Sequence, residues 1–585
     1  MPIGAPKSLT QCRRFFLVPK LPKHRVYEAL RAYFVEERPS AEVAKAFGYT
    51  PGSFRVLCHA FRRDPDPKFF ADAKPGPRSQ PQKSAARKAI IELRKRNHSV
   101  YEISAALKER KLRLSPTAVG EVLKEEGFAR LPRRLDEERP GRQGPSVEVI
   151  ADVRAFALAP GRFQTKCGGL FLFLPALVRL DIDGVTRSAR LPGSKMIPPA
   201  HALRSCLATK LWAIERKSHV MTLAADPGIA LFSGLNVTPK KSFLSEYSCR
   251  IHHDMTMQLL TAWHTRLTGE QLFENNSFNL DFHSVPFFGE DSVVEDHYVS
   301  MRSRRQPSVL TFMAHDAESR AFCYANADIR KGEEADEIFR FITFWRKTHG
   351  ALPRHLVFDS KLTTYANLAK LDAMGIKFIT LRRRSPAILK EVHSLPRSAW
   401  RTITLDVPTR KYKTPRIYEQ TVKLAGCAMR QLFVLDLGHE EPTVLLTNDR
   451  VSTKNLVTRY AQRMLIENAL SDAVRFFHMD ALSSAVGMKV DFDMTLLVMA
   501  STLYRILARD MRGYDQAQAR TIFRDLVDMP ADVRIDEHRC VTVEFHRRSH
   551  LPILLASEMF KQPVKVPWWG GAALKLSTYS RGPSC

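Results

Sequence analysis

The spacing of apolar residues along the chain changes character several times. Over residues 26–37 they fall at helical intervals, and a short second helix is expected over 41–47, capped by Ser40 and ended by Gly48. Thr50 followed by Pro51 predicts an N-cap and a first-turn proline for a third helix reaching about Phe61. The plan returns between residues 85 and 128. There, Ser99 with Glu102 predicts a capping box, Ser115-Pro116 opens a last helix and Gly127 closes it. Residues 150–275 read as mainly helical, with apolar patches at 171–180, 203–214 and 255–267. From Ser277 the period shortens to two. Strands are expected at 278–283, 308–314, 320–325, 354–359 and 376–381, with helices at 333–348 and 364–374 between them. Residues 400–450 alternate as short antiparallel strands, a helical stretch starts near Thr453, and the tail reads as short strands at 540–545 and 551–555.

Proline punctuates the first quarter of the chain. Dense basic Pro segments at 64–68, 74–78, 132–134 and 140–145 exclude continuous helix and read as linkers. The expected organisation is therefore multidomain. It comprises a first helix-turn-helix module (21–70), a linker (71–84), a second module (85–130), a linker (131–150) and a helical domain (151–275). An α/β core (276–400) follows, then a β-rich insertion (401–450), the final core helices (451–512) and a C-terminal segment (513–585).

Charge sharpens this picture. The 585 residues carry 90 Lys and Arg against 61 Asp and Glu, a net charge of +29, and residues 1–145 hold 31 of the former and 16 of the latter. Such a surplus points to a polyanion, with nucleic acid the first candidate and an anionic membrane the second. The last helix of the first module carries Arg55, His59, Arg62 and Arg63, residue types suited to bases and phosphates. The last helix of the second module is acidic instead (Glu121, Glu125, Glu126), so its DNA contacts would come from its N-terminal end or from the basic 108–113 loop. No membrane role is expected, because the longest apolar runs fall well short of the ~20 residues a bilayer requires, and the N-terminus lacks the apolar core of a signal peptide. Nine scattered cysteines without a CxxC pair argue against a zinc finger and for a reducing, cytoplasmic home.

Candidate chemistry gathers in the α/β region. Two of the expected strand runs carry an acid at their ends, Asp281 and Asp359, and Tyr460, Arg463 and Glu467 are spaced to share one face of a helix. Three carboxylates without histidine partners suit hard cations such as Mg²⁺ or Mn²⁺, and a pair of such ions can clamp an in-line phosphoryl transfer. Asp296 and Asp316 lie near Asp281; Asp281 is preferred as the acid closing the opening strand. No phosphate-binding Gly-x-x-x-x-Gly-Lys-Ser/Thr loop is present, so the phosphate transferred is expected to lie in nucleic acid itself. The paired tryptophans Trp568 and Trp569 are read as packing the tail onto the core in preference to stacking on bases.

Asn279-Leu-Asp281, Leu356-Val-Phe-Asp359 and Tyr460-Ala-Gln-Arg463-Met-Leu-Ile-Glu467 together resemble the DDE transposases of bacterial insertion sequences. The branch is the one with a Tyr-x-x-Arg-x-x-x-Glu signature and a β-rich insertion in a ribonuclease-H-like core. The resemblance covers roughly residues 150–585. It implies that Asp281, Asp359 and Glu467 are the metal ligands for two Mg²⁺ or Mn²⁺ ions. It also implies that Tyr460 and Arg463 contact a DNA end, that element ends and target DNA are the substrates, and that a homodimer acts on DNA in the bacterial cytoplasm. The branch's lysine seven residues past the glutamate is absent; Val474 and Arg475 stand there. A non-catalytic DNA-binding regulator and a nuclease or resolvase on the same core are the alternatives.

Overall fold

The computed structural model describes residues 9–65, 81–128, 131, 158–287, 295–299, 304–329, 332–360, 364–407, 412–438, 441–480 and 487–578. The basic Pro segments at 74–78 and 132–145 lie outside the described residues. The chain mixes helix and sheet and divides into two compact units, residues 1–81 and 82–585. Among the described residues no helix is long and apolar enough to cross a membrane.

Three helices build the core of the first unit: Pro22–Phe34, Ser40–Ala46 and Pro51–Arg63. The Thr50 hydroxyl accepts the Ser53 N–H at 3.2 Å, which satisfies one of the orphan donors of the third helix, and Pro51 fills a position that needs no donor. Ser40 is the first residue of the short helix and not its cap; Pro39 holds the cap position. Gly48 turns the chain at φ +69°, which brings Phe54 and Cys58 inward against Ala29, Leu30, Val43 and Phe47. A further helix that the apolar spacing did not announce, Leu9–Leu17, precedes these three.

The second unit opens with another three-helix block, Pro81–Lys95, Val100–Glu109 and Pro116–Glu125. Its first helix starts within the stretch expected to be linker. Ser99 and Glu102 form the reciprocal capping box, with bonds of 2.7 and 3.3 Å, and Ser115 caps the last helix. Ile90, Ile103, Leu107, Val119 and Val122 close a small core of its own.

Among the described residues the main sheet has ten strands. β2 (Ser277–Pro286), β6 (His355–Phe358) and β7 (Lys377–Leu381) run parallel at its centre, and their apolar stretches are buried as parallel strands require. On one side β4 (Arg304–Asp316) pairs antiparallel with β2 and carries β3 (Asp296–Val299) and β5 (Phe322–Asn326) on its outer edge. On the other side β11 (Thr443–Thr447), β10 (Cys427–Leu435), β9 (Arg416–Leu424) and β8 (Arg401–Thr402) continue the same sheet outward from β7. The β-rich insertion is therefore an extension of the central sheet and not a separate layer. Helices Glu337–His349 and Tyr365–Ala373 supply the crossovers into β6 and β7.

The two ends of the remaining chain meet in a five-stranded sheet. β1 (Gly161–Thr165) pairs with β12 (Ala531–Ile535), followed by β13 (Cys540–Phe545), β15 (Ala572–Thr578) and β14 (Val564–Val566). Residues 551–555, expected as a strand, form a helix with Pro552 in its first turn. Trp569 is buried and donates to the Leu231 carbonyl at 2.8 Å, while Trp568 donates to Phe232 at 3.0 Å. Both tryptophans pack the tail onto the core. One apolar core runs from Cys167 to Leu576 and takes in the central strands and the long helix Gly487–Asp510. The segments 151–275, 276–400, 451–512 and 513–585 all contribute residues to this core, and the first, expected as helical, includes a strand.

Candidate active site

Register brings the first two acids together. β2 and β6 pair in parallel with Leu280 level with Phe358, so the next residues along, Asp281 and Asp359, stand side by side where β6 ends. The strand run expected to stop near Asp281 continues to Pro286, because the longer antiparallel partner β4 keeps pairing with it. Asp281 is thus mid-strand, and the end that matters belongs to its neighbour β6. That places the pair at the carboxyl end of a parallel ladder, where open α/β sheets carry their ligand sites.

The third acid arrives on a helix that is broken. A continuous helical face was expected from Tyr460 to Glu467; instead one helix ends at Ala461 and another spans Met464–Arg475. Tight i→i+3 backbone bonds, Arg463 to Tyr460 and Ile466 to Arg463, make the join. Arg463 sits at this corner. Its guanidinium donates to Asp281 Oδ2 at 2.9 Å and to Glu467 Oε1 at 3.1 Å. Its side chain is 11% exposed, against 19% for Asp281 and 57% for Glu467. Tyr460 packs against Val357, Ile379 and Leu456 and so ties this corner to the central strands.

Electrostatics agree with the crowding. Burial raises the Asp281 pKa; Arg463 and the Phe282 N–H pull it back, and the neighbouring charges of Asp359 and Glu467 raise it again. Burial alone would lower the Arg463 pKa, but Asp281, Tyr460, Glu467 and Asp359 outweigh it and the guanidinium is held more firmly protonated. Asp359 accepts from the backbone N–H and the hydroxyl of Ser360, which fix its carboxylate. Among the described residues no three His, Cys, Asp or Glu side chains are gathered closely enough to hold a metal ion as they stand. The acids are arranged around a guanidinium.

The alternative acids take other roles. Asp316 closes β4 and accepts the Ser319 and Glu318 N–H groups at 2.7 and 3.2 Å, so it shapes a turn. Burial lifts its pKa to about 6. Asp296 opens β3, away from β6. A residue that the motif reading passed over is His283, two positions along β2 from Asp281 and so on the same face, bonded to Asp480 at 2.7 Å. Its signal was the period of two in the strand. Val474 and Arg475 close the Met464–Arg475 helix; Arg475 is exposed.

In the first unit Arg55, His59, Arg62 and Arg63 are all exposed on the Pro51–Arg63 helix. Arg62 touches Tyr33 Oη at 3.4 Å and lies over Phe34 at 5.6 Å, a contact that leaves its charge available. In the second unit the acids of the Pro116–Glu125 helix and its C-cap are taken up internally: Lys83 pairs with Glu121 at 2.7 Å, and Arg87 pairs with Glu125 and Glu126. Lys108, Arg110, Lys111 and Arg113 remain exposed.

No protein-family model matches the chain, and no curated protein matches it.

Proposed function

We propose that the chain is a DNA strand-transfer enzyme of the DDE transposase type, acting on double-stranded DNA in the bacterial cytoplasm. The reading rests above all on one arrangement: Asp281 on β2 and Asp359 just past the end of β6 each follow the paired residues Leu280 and Phe358, and Arg463 links Asp281 to Glu467. Asp281, Asp359 and Glu467, distant in sequence, all act on the Arg463 charge, in the chain order that the resemblance calls for. The strand order β5-β4-β2-β6-β7, with one antiparallel neighbour beside three parallel strands, supports a ribonuclease-H-like core.

The residues fit a hard divalent cation. The donor set is all oxygen, and the Arg463 guanidinium pairs with Asp281 and Glu467 while the Asp359 charge acts on both Asp281 and Arg463, which leaves negative charge in excess. Asp281, Asp359 and Glu467 would hold Mg²⁺ or Mn²⁺, two ions in the full reading, which supply charge stabilisation for the attacking and leaving oxygens when bound. Tyr460 and Arg463 orient the phosphate of the DNA end. The exposed arginines of the first unit act as a helix-turn-helix reader of the element's terminal repeats, and the basic 108–113 loop adds phosphate contacts. Two ends must be joined, so the working assembly is a homodimer on DNA.

Asp281→Asn, Asp359→Asn and Glu467→Gln each keep shape and remove charge. Each is expected to abolish metal-dependent nicking of duplexes carrying the sequences that flank the gene, while gel-shift affinity for the same duplexes is kept. Near-wild-type nicking by any one variant removes that residue from the site. Covalently joined donor–target product separates strand transfer from simple nuclease action.

A further inference from the structure

The Arg463 guanidinium occupies the place among the acids that a cation would need. It bridges Asp281 and Glu467 at 2.9 and 3.1 Å, and the Asp281 pair is largely withdrawn from water. An ordinary exposed i,i+4 pair is worth ~0.3–0.5 kcal/mol and would yield easily. This one differs, because stripping the partner from a buried charge is costly. Arginine also cannot leave by losing its proton, since it stays charged at any physiological pH. It leaves only by exchanging one anion for another. Its Nε has no hydrogen-bond partner among the described residues, and the corner it occupies is the tight turn between two helices, with Glu467 itself more than half exposed. A phosphate diester is the competing anion best matched to a guanidinium, through paired N–H···O bonds.

We propose that Arg463 is a latch that keeps divalent metal out of the acid cluster until DNA phosphate draws its guanidinium away. This rests on the reading of Asp281, Asp359 and Glu467 as the metal site and adds its regulation. The latch makes metal and DNA binding mutually reinforcing, because whatever DNA gains by taking the arginine is returned as metal affinity, and the coupling is equal in both directions. Free protein is held in a state that does not load metal, so hydrolysis begins only with an end in place. Arg463 is here a positioning residue as well as a DNA contact, and the test reads metal binding and not turnover.

Mn²⁺ binding to the full-length protein is followed by the electron paramagnetic resonance signal of the free ion. Without DNA, Arg463→Gln is expected to bind Mn²⁺ about tenfold more tightly than wild type, with Arg463→Lys between them. Duplex DNA from the flanks of the gene should tighten wild-type Mn²⁺ binding by a similar factor and change Arg463→Gln by less than about threefold. Near-ultraviolet circular dichroism checks that each variant keeps its tertiary packing, and Arg463→Lys carries the comparison if the glutamine variant does not. Wild type binding Mn²⁺ as tightly as both variants without DNA overturns the latch while leaving the metal site standing. If Asp281→Asn with Glu467→Gln leaves Mn²⁺ affinity unchanged in the Arg463→Gln background, the metal site itself is wrong and the latch falls with it.

Discussion

The two helical blocks at the start of the chain share a plan of three helices, a capped last helix with proline in its first turn, and a small apolar core, yet they use their charges in opposite ways. In the first, Arg55, His59, Arg62 and Arg63 stand exposed on the last helix. In the second, Glu121, Glu125 and Glu126 are matched by Lys83 and Arg87 from the block's own first helix. The end of that first helix and the turn after it engage the body of the second unit: Lys95 pairs with Asp328, Arg96 with Asp254 at 3.1 Å, and the Asn97 amide donates to the Arg250 carbonyl at 2.6 Å. One block spends its cations outward and the other inward. Similar helical patterning therefore does not give them equivalent surfaces: the first leaves its cations exposed, and the second pairs its acids within the block.

Acid should separate the blocks from the body most strongly. In the body, burial drives the pKa values of His264 and His315 down to about 3, whereas His24, His59 and His98 in the blocks are half-buried or exposed. A histidine whose folded pKa lies below its unfolded value favours the fold fully above the unfolded pKa. That stability is lost as pH falls from about 6.5 toward 3, on the order of a few kcal/mol. Because Asp316 and Asp472, each raised to about 6 by burial, offset part of this loss, the body is expected to show a lower thermal transition temperature in this window while an isolated 1–81 fragment, a compact unit on its own, keeps its helical signal; simultaneous loss would break the contrast.

Core truncation comes next. Phe54 is fully buried in the first block, and Phe54→Ala should cost about 3–5 kcal/mol there, enough to unfold so small a core. Limited proteolysis should then remove the first unit and leave the calorimetric transition of the second unit unchanged.

DNA affinity tests the charge contrast itself. Arg55→Ala with Arg62→Ala and Arg63→Ala should weaken binding by about 100-fold and flatten the log–log salt slope by about 2.7 if each meets one phosphate. Glu121→Gln with Glu125→Gln and Glu126→Gln should change affinity by no more than about threefold, because those acids already face Lys83 and Arg87. Equal effects from both sets would make the blocks equivalent after all.

Caps and ion pairs give the smallest effects. Thr50→Ala and Ser99→Ala should each cost about 1 kcal/mol of stability, with Ser99 the larger because its box is reciprocal. Arg87→Ala should cost about 1 kcal/mol or less, since its pairs are partly exposed.

Much of this was legible along the chain. Helix starts at Thr50, Ser99 and Ser115 follow from local chemistry, since a side-chain oxygen two or three residues from an orphan N–H finds it whatever lies beyond. The apolar runs of β6 and β7 announce buried strands for the same reason. Where local chemistry was ambiguous, the reading slipped. Residues 551–555 form a short apolar run that a strand and a helix share, with Pro552 suited to a first helical turn, and the 453–475 helix breaks at Arg463 where no glycine or proline marks it. The candidate acids follow from type and spacing alone; Asp281 lies within β2, and the strand end beside it is that of β6.

The sequence by itself determined most of the helix starts and the central strands, where cations are concentrated and which acids are candidates, because each depends on neighbours within a turn or two. Tertiary structure alone decided that Asp281 is level with Asp359, that Arg463 stands between Asp281 and Glu467, and that β1 pairs with a strand of the tail. Those facts depend on strand register and on packing between residues far apart in the chain. Hydrophobic burial rewards many such pairings almost equally, and only the complete core selects one of them.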